Sequence, residues 1–559
     1  MNQNYKWKGG SLQGPERAHA RAVYKSMGYD GTDLKKPIIG IGNTWSELVP
    51  GHHHLKMVAE AVRAGIYQAG GTPVEFCTAS QCGTISLGKP GHRFDTPTRD
   101  FTASEVEATA EIHQLDGLVL ISTCDKIVPG HLLAAARLNI PSIIVQGGSM
   151  YIGKHREERL FLGDLDEMVW GGYRTGKVTE NQLYEYEDVA CPGAGACPVM
   201  GTANTMQCLA EAVGMSLPYS AVVPAVSAER MRSARQAGRQ VVNLVKNGIL
   251  PADIMRKEAL ENMIRVLLAI GGSTNAVVHT LALSVELDLE QEININLLDK
   301  LSRETPCLSA VRPNGPYNVV ELHEAGGIPA VMKELLPLLH LDVLTATGKT
   351  LGENLKDVKV LNPEVIRPFG QPVNKQGGLY VLKGNFAESA VTRATGMKRD
   401  FWNFKGIARV FDSMEKALTA LWEEKSIKDG DAIIVRYEGP KGGPGLTEVQ
   451  PVLGAVVGMG LNVAVITDGK FSGFTRELGI CQITPEAAIG GPIALIKDGD
   501  IVHIDIENRM LNVDVSQEEF ERRRREWQPP EPRVKKGSLT LWAQLAEPAT
   551  RGAGLKMKM

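Results

Sequence analysis

At 559 residues the chain exceeds what one hydrophobic core usually organises, so at least two domains sharing a site are expected. Hydrophobic residues at 43%, charged residues at 22% and 59 glycines describe a folded globular protein rich in tight loops, and they exclude a disordered chain. The 61 basic and 64 acidic residues leave a formal charge of -3, a balance that offers no broad attraction for nucleic acid or an anionic membrane.

The segment Met1 to Gly10 is polar, without the apolar run of a secretory signal. The longest apolar stretch, Leu453 to Ile466, is interrupted by glycines and Asn462, so a cytoplasmic protein is expected. Pro37 to Gly42 reads as a strand, His54 to Gln68 as a helix and Gly117 to Ser122 as the second strand. Cys124 follows that strand, Pro129 opens a helical stretch through Leu132 to Leu138, and Ser142 to Gln146 reads as the next strand. In open parallel sheets ligands gather beyond the carboxyl ends of the strands, which places Cys124 where a site is expected. Ala228 to Leu289 is mainly helical, broken at Gly271-Gly-Ser-Thr-Asn275, and further helices run through Leu301 and from Glu321 to His340.

Proline, glycine and asparagine cluster between Pro363 and Gly378, and the segments beyond shorten to strand-like pieces: Leu379 to Leu382, Ala432 to Tyr437, Val463 to Thr467. The expected division is therefore residues 1-370, an α/β domain of three α/β/α layers, and 371-559, a β-rich, barrel-like domain. Ser516 with Glu519 forms a capping-box pattern opening a late helix whose run Arg522 to Arg525 reads as a solvated face or subunit contact.

The eight cysteines are too sparse for a disulfide scaffold, which leaves reduced thiols or metal ligands. Cys124-Asp125-Lys126 sets a soft thiolate, a hard carboxylate and an amine side by side, a combination able to serve a soft iron and a hard divalent ion together. Cys191-Pro-Gly-Ala-Gly-Ala-Cys197 adds two cysteines on a glycine-rich loop leading into a helix-like segment from Ala203 to Val213, whose amino-terminal dipole favours thiolate charge. Two further loops, Tyr437-Glu438-Gly-Pro-Lys-Gly-Gly-Pro-Gly445 and Thr467-Asp468-Gly-Lys-Phe-Ser472-Gly473, each follow an apolar strand.

With Cys124-Asp-Lys-Ile-Val-Pro-Gly130, Cys197 to Met206 and Gly271 to Asn275, these loops closely resemble the dihydroxy-acid dehydratase and 6-phosphogluconate dehydratase family, from about residue 15 to 540. The resemblance implies a hydro-lyase that converts a 2,3-dihydroxy carboxylic acid to a 2-keto acid. Cys124 and Cys197 are then ligands of an iron-sulfur cluster, with Cys191 as a candidate third. Asp125 and Glu438 are then magnesium ligands, together with a carbamylated Lys126. Ser472 matches the family's base. A homodimer or tetramer is also implied, with the site between the two domains.

Two departures bear on this. Gly51, in Val49-Pro50-Gly51-His52-His53-His54, stands where members with a 2Fe-2S cluster have a cysteine; this looks like the 4Fe-4S branch, while Cys82 or one of the histidines is an alternative ligand. Gly83 and Thr84 stand where the family carries an aspartate or, one place on, a glutamate, so one hard ligand is missing. Dihydroxy-acid dehydratase activity of valine and isoleucine synthesis is the leading expectation. An aldonic-acid dehydratase and a non-catalytic iron-sulfur redox sensor are the alternatives.

Overall fold

Runs of Ile, Val and Leu with no polar alternation make strands that must be covered on both faces. In the computed structural model, which describes residues 10–473 and 476–555, three such strands and one edge strand form a parallel sheet. They are β1 (Ile38–Asn43), β2 (Thr72–Cys77), β3 (Gly117–Ser122) and β4 (Ser142–Gln146), in the order β2-β1-β3-β4. Helix Leu55–Gln68 pairs with Ala228–Asn247 against the central strands, while Ile127–Leu138, backed by Pro97–His113, packs on β3 and β4. This is the three-layer arrangement that the sequence implies. Strand β2 was not anticipated: Pro73 and Glu75 interrupt its apolar pattern, and the edge position is what tolerates them.

A short hairpin, β5 (Gly153–His155) with β6 (Glu158–Leu160), precedes the helical region. The second sheet begins at β7 (Leu379–Leu382) and β8 (Ser389–Arg393). It continues through β9 (Asn403–Phe411), β10 (Asp431–Val435), β11 (Ala464–Thr467) and β12 (Gly479–Thr484), and ends with β13 (Ile501–Asp505) and β14 (Met510–Val513). Its order is β14-β13-β9-β10-β11-β12-β8-β7, parallel from β9 to β12 and antiparallel outside. The two edges meet at Lys383, whose N–H donates to the Arg509 carbonyl at 3.0 Å and whose carbonyl accepts from Leu511 at 2.9 Å. The sheet is therefore a nearly closed barrel, which leaves few unpaired edge groups.

Ser516 caps helix Gln517–Glu526 by accepting from the Glu519 N–H, but Glu519 spends its carboxylate on Arg522 and Arg523 instead of closing the box. Arg523 also pairs with Asp500, and Arg522 with Glu526, so these two arginines are occupied by local ion pairs. Among the described residues no helix is long and apolar enough to cross a membrane.

Candidate active site

Cys124 sits in the turn between the carboxyl end of β3 and helix Ile127–Leu138. Its N–H donates to Nε2 of His52 at 3.1 Å, and Nδ1 of His52 donates to the Thr44 carbonyl at 2.7 Å. Burial pulls the His52 pKa down to about 4, so the ring is neutral and its single lone pair is spent on the Cys124 amide. His54 donates through Nε2 to the Gly147 carbonyl at 2.9 Å. These two histidines thus hold the backbone around Cys124.

The Cys191–Cys197 loop is strapped to the same wall. Gly195 N–H donates to the Pro50 carbonyl at 3.1 Å, Ala196 N–H to that of Gly148 at 2.9 Å, and the Asn204 amide to the Cys197 carbonyl at 2.6 Å. Gly51 lies between this loop and Cys124: a Cβ there would stand 2.7 Å from the Cys124 Sγ, so the position is closed to any side chain while the sulfur keeps its place. Cys82, Cys124, Cys191 and Cys197 line one cavity of about 240 Å³. Burial raises all four thiol pKa values, those of Cys124 and Cys197 well above the ordinary value; neighbouring thiols add to it at Cys124, Cys191 and Cys197, and Asp125 adds to it at Cys82. Thiols in this state are protonated until a metal displaces the proton.

Asp125 faces the same cavity. Behind it Lys126 is buried, with Nζ 2.9 Å from Asp95 Oδ2 and 3.5 Å from Asp125 Oδ2. Lys470 reaches across from the second sheet to the same Asp95 oxygen at 2.8 Å and to Glu448 Oε2 at 2.7 Å. Burial by itself would raise both carboxyls; Lys126 and Lys470 outweigh it at Asp95, holding it well below the usual range, and Lys470 takes Glu448 down to about 2. His92, Asp95 and Glu448 bring their ligand atoms within 4.8 Å of one another. Asp125 moves the other way: burial raises it against the pull of Lys126.

Ser472 also lines this cavity, half-buried, its N–H donating to the Gln450 side chain at 3.2 Å. Its loop leaves β11 and runs beside the Glu448 segment, held by Lys470 N–H to the Thr447 carbonyl at 2.9 Å and Val449 N–H to the Lys470 carbonyl at 2.8 Å. Below it, a Cβ on Gly473 would meet Thr202 N at 2.5 Å and Ser273 Oγ at 2.7 Å. The turn Gly271 to Asn275 and the start of helix Thr202–Ala212 therefore form the floor of the serine loop, tied together by the 2.8 Å bond between Thr202 and Ser273 hydroxyls.

Of the residues expected from the sequence, Cys124, Cys191, Cys197, Asp125 and Ser472 meet at this cavity, and Lys126 stands directly behind it. Glu438 does not line it. Its carboxylate is buried against Arg533 at 2.7 Å and accepts from Met414 N–H at 3.3 Å, because the chain turns away after β10 and returns only at Glu448. The sequence reading missed Glu448, three residues past the quoted glycine loop, as well as His92, Asp95 and Lys470. A signal existed for two of them: His92 and Asp95 are one turn apart at the 3₁₀ segment Pro90–Phe94, where positions i and i+3 share a face.

Two family descriptions cover the chain: dihydroxy-acid/6-phosphogluconate dehydratase N-terminal over residues 36–354, and the corresponding C-terminal part over residues 364–553. The chain belongs to this dehydratase family. Similar proteins include a dihydroxy-acid dehydratase of Acetivibrio thermocellus, 47% identical over 98% of this chain and 99% of the relative. Others are those of Caldicellulosiruptor saccharolyticus, 46% identical over 97% and 99%, and Ignicoccus hospitalis, 46% identical over 97% and 98%. As a member of the dehydratase family the chain is a hydro-lyase.

Proposed function

We propose that this dehydratase removes water from a 2,3-dihydroxy carboxylic acid of the branched-chain amino acid type, giving the 2-keto acid. The observation that carries the reading is one cavity of about 240 Å³ bounded by four thiols, three carboxylates and Ser472, with Ile85, Met150 and Leu162 as an apolar wall. That wall suits a short alkyl group better than the hydroxyl-bearing chain of an aldonic acid, which needs polar partners along its length.

The donor chemistry fits an iron-sulfur cluster and a divalent metal ion side by side. Cys124, Cys197 and Cys191 would hold the cluster, and three thiolates with no cysteine at Gly51 favour 4Fe-4S over 2Fe-2S. Asp125 and Glu448 would hold the divalent ion with Lys126, Glu448 taking the place of the Glu438 named as a magnesium ligand from the sequence. Lys126 joins as a carbamate: its amine adds to carbon dioxide, an N–C bond forms, and the two protons shed from the ammonium pass to solvent. The Lys126 Nζ is buried, 2.9 Å from Asp95 Oδ2 and without an aligned hydrogen bond among the described residues. When bound, the two groups supply Lewis acidity toward the C3 oxygen and the substrate carboxylate.

Ser472 takes the C2 proton. Its place beside the helix start at Thr202 puts the amino-terminal end of that helix dipole, which favours a deprotonated oxygen, at the serine loop. His52, Asn204 and the Pro50–Gly195 contact position the thiols, and the backbone bonds of Lys470 with Thr447 and Val449 hold the serine loop beside Glu448. The test is keto-acid formation by the anaerobically reconstituted protein from 2,3-dihydroxy-3-methylbutanoate and from a panel of aldonates. Ser472→Ala is expected to lose turnover while keeping its iron. Turnover on aldonates alone, or full activity in Ser472→Ala, defeats the reading.

A further inference from the structure

Two carboxylates lining the cavity, Asp95 and Glu448, face a histidine held by the Gly83 carbonyl. His92 is 3% exposed, and Nδ1 donates to the Gly83 carbonyl at 3.0 Å, so that in the neutral ring the lone pair lies on Nε2. That Nε2 is buried with no hydrogen-bond partner among the described residues, and it points at Glu448 Oε2, 3.8 Å away, and Asp95 Oδ2, 4.0 Å away. Ligand atoms held roughly 2.1 Å from an ion lie roughly 3.0 to 4.2 Å apart in octahedral geometry, so these separations suit a shared cation. The backbone carbonyl on the far nitrogen is the support that metal-binding imidazoles usually have. The Lys470 ammonium, bonded to the same two oxygens, already sits as a cation between them.

Gly83 adds an independent reason for the carboxylate. A Cβ there would stand 2.7 Å from Asp95 Oδ1 and 3.1 Å from His92 Cε1. The Asp95 carboxylate therefore fills the space that a side chain at position 83 would need, and the glycine makes room for it.

We infer that His92, Asp95 and Glu448 are ligands of the divalent ion in this chain, and that the imidazole makes the site select a first-row transition ion over magnesium. Lys470 releases the two oxygens as the ion enters. An imidazole nitrogen among carboxylates strengthens binding along the first-row series, whereas magnesium prefers oxygen alone. The inference rests on the reading of the site as one that holds a divalent ion, and it replaces magnesium by a different class of ion.

Manganese(II) is a suitable probe. Its affinity and that of magnesium are measured by titration of the cluster-containing protein, and electron spin-echo modulation is recorded on bound manganese with 15N-labelled histidine. Manganese is expected to bind at least about tenfold more tightly than magnesium, with one coupled 15N nucleus. His92→Gln is expected to abolish the coupling and bring the two affinities together. Equal affinities in the parent protein, manganese bound without nitrogen coupling, no manganese binding because Lys470 keeps its place, or coupling that survives in His92→Gln each overturn the inference. The parent spectrum decides even if the variant folds poorly. Keto-acid formation by the same metal-loaded holoenzyme separately decides whether the dehydratase reading stands.

Discussion

Replacing Gly51 by alanine tests whether the Cys124 sulfur is placed for a cluster. The added Cβ would lie 2.7 Å from that sulfur, with Thr123 Cγ2 at 3.4 Å and the Gly195 carbonyl at 3.6 Å. An ordinary contact is roughly 3.5 to 4.0 Å, so an overlap of about 1 Å must be relieved. Cys124 has one side-chain torsion and can turn its sulfur away, which limits the cost to the fold to about 1 kcal/mol. The same turn moves the sulfur by about 1 Å or more, against a tolerance of about 0.2 Å for metal–ligand distances. Gly51→Ala should therefore keep the parent circular dichroism and unfolding midpoint within a few degrees. Its iron and sulfide content after anaerobic reconstitution should fall severely. A variant that takes up a full cluster with the parent's Mössbauer parameters would refute the placement of Cys124 as a ligand.

Four further outcomes follow from the same geometry. Glu448→Gln should weaken divalent-ion binding and abolish turnover, while Glu438→Gln should leave ion affinity near the parent's and cost about 1 to 3 kcal/mol through the weakened Arg533 contact; calorimetry with the ion separates them. Cys191→Ser should lower iron per chain and Cys82→Ser should not, with the reverse pattern assigning the third thiolate to Cys82. His131 is wholly buried, and burial lowers its pKa from 6.5 to about 3. The fold keeps it neutral, the unfolded chain protonates it below about pH 6.5, and stability is lost as pH falls from there toward about 3. Between about pH 7.5 and pH 5 the loss is about 2 kcal/mol, and His131→Leu should flatten that slope in urea unfolding of the cluster-free protein. Lys470→Met removes the ammonium that bonds the Asp95 and Glu448 oxygens and should tighten manganese binding in the same titration; unchanged or weaker binding would show that Lys470 does not compete with the ion for them.

Much of this molecule is written locally. The fully apolar runs of β1, β3, β4, β7 and β11 announce buried strands, and the loops that follow β3 and β11 carry Cys124 and Ser472 in recognisable surroundings. Short-range chemistry is enough for that, because a strand's periodicity and a loop's composition are properties of neighbouring residues. The edge strand β2 was hidden because Pro73 and Glu75 are tolerated only by where the strand lies.

The hard-metal side of the site depended on the tertiary structure. Both Glu438 and Glu448 flank the same glycine-rich loop, and only the path of the chain after β10 turns one toward Arg533 and the other toward the cavity. Asp95 and Lys470 are 375 residues apart, and their pairing exists only when the nearly closed barrel docks against the parallel sheet. The sequence by itself determined which chemical groups the chain possesses and which loops present them. Which carboxylates and which histidine share one buried space was decided by packing, since burial and long-range charge pairing have no counterpart in the order of residues along a chain.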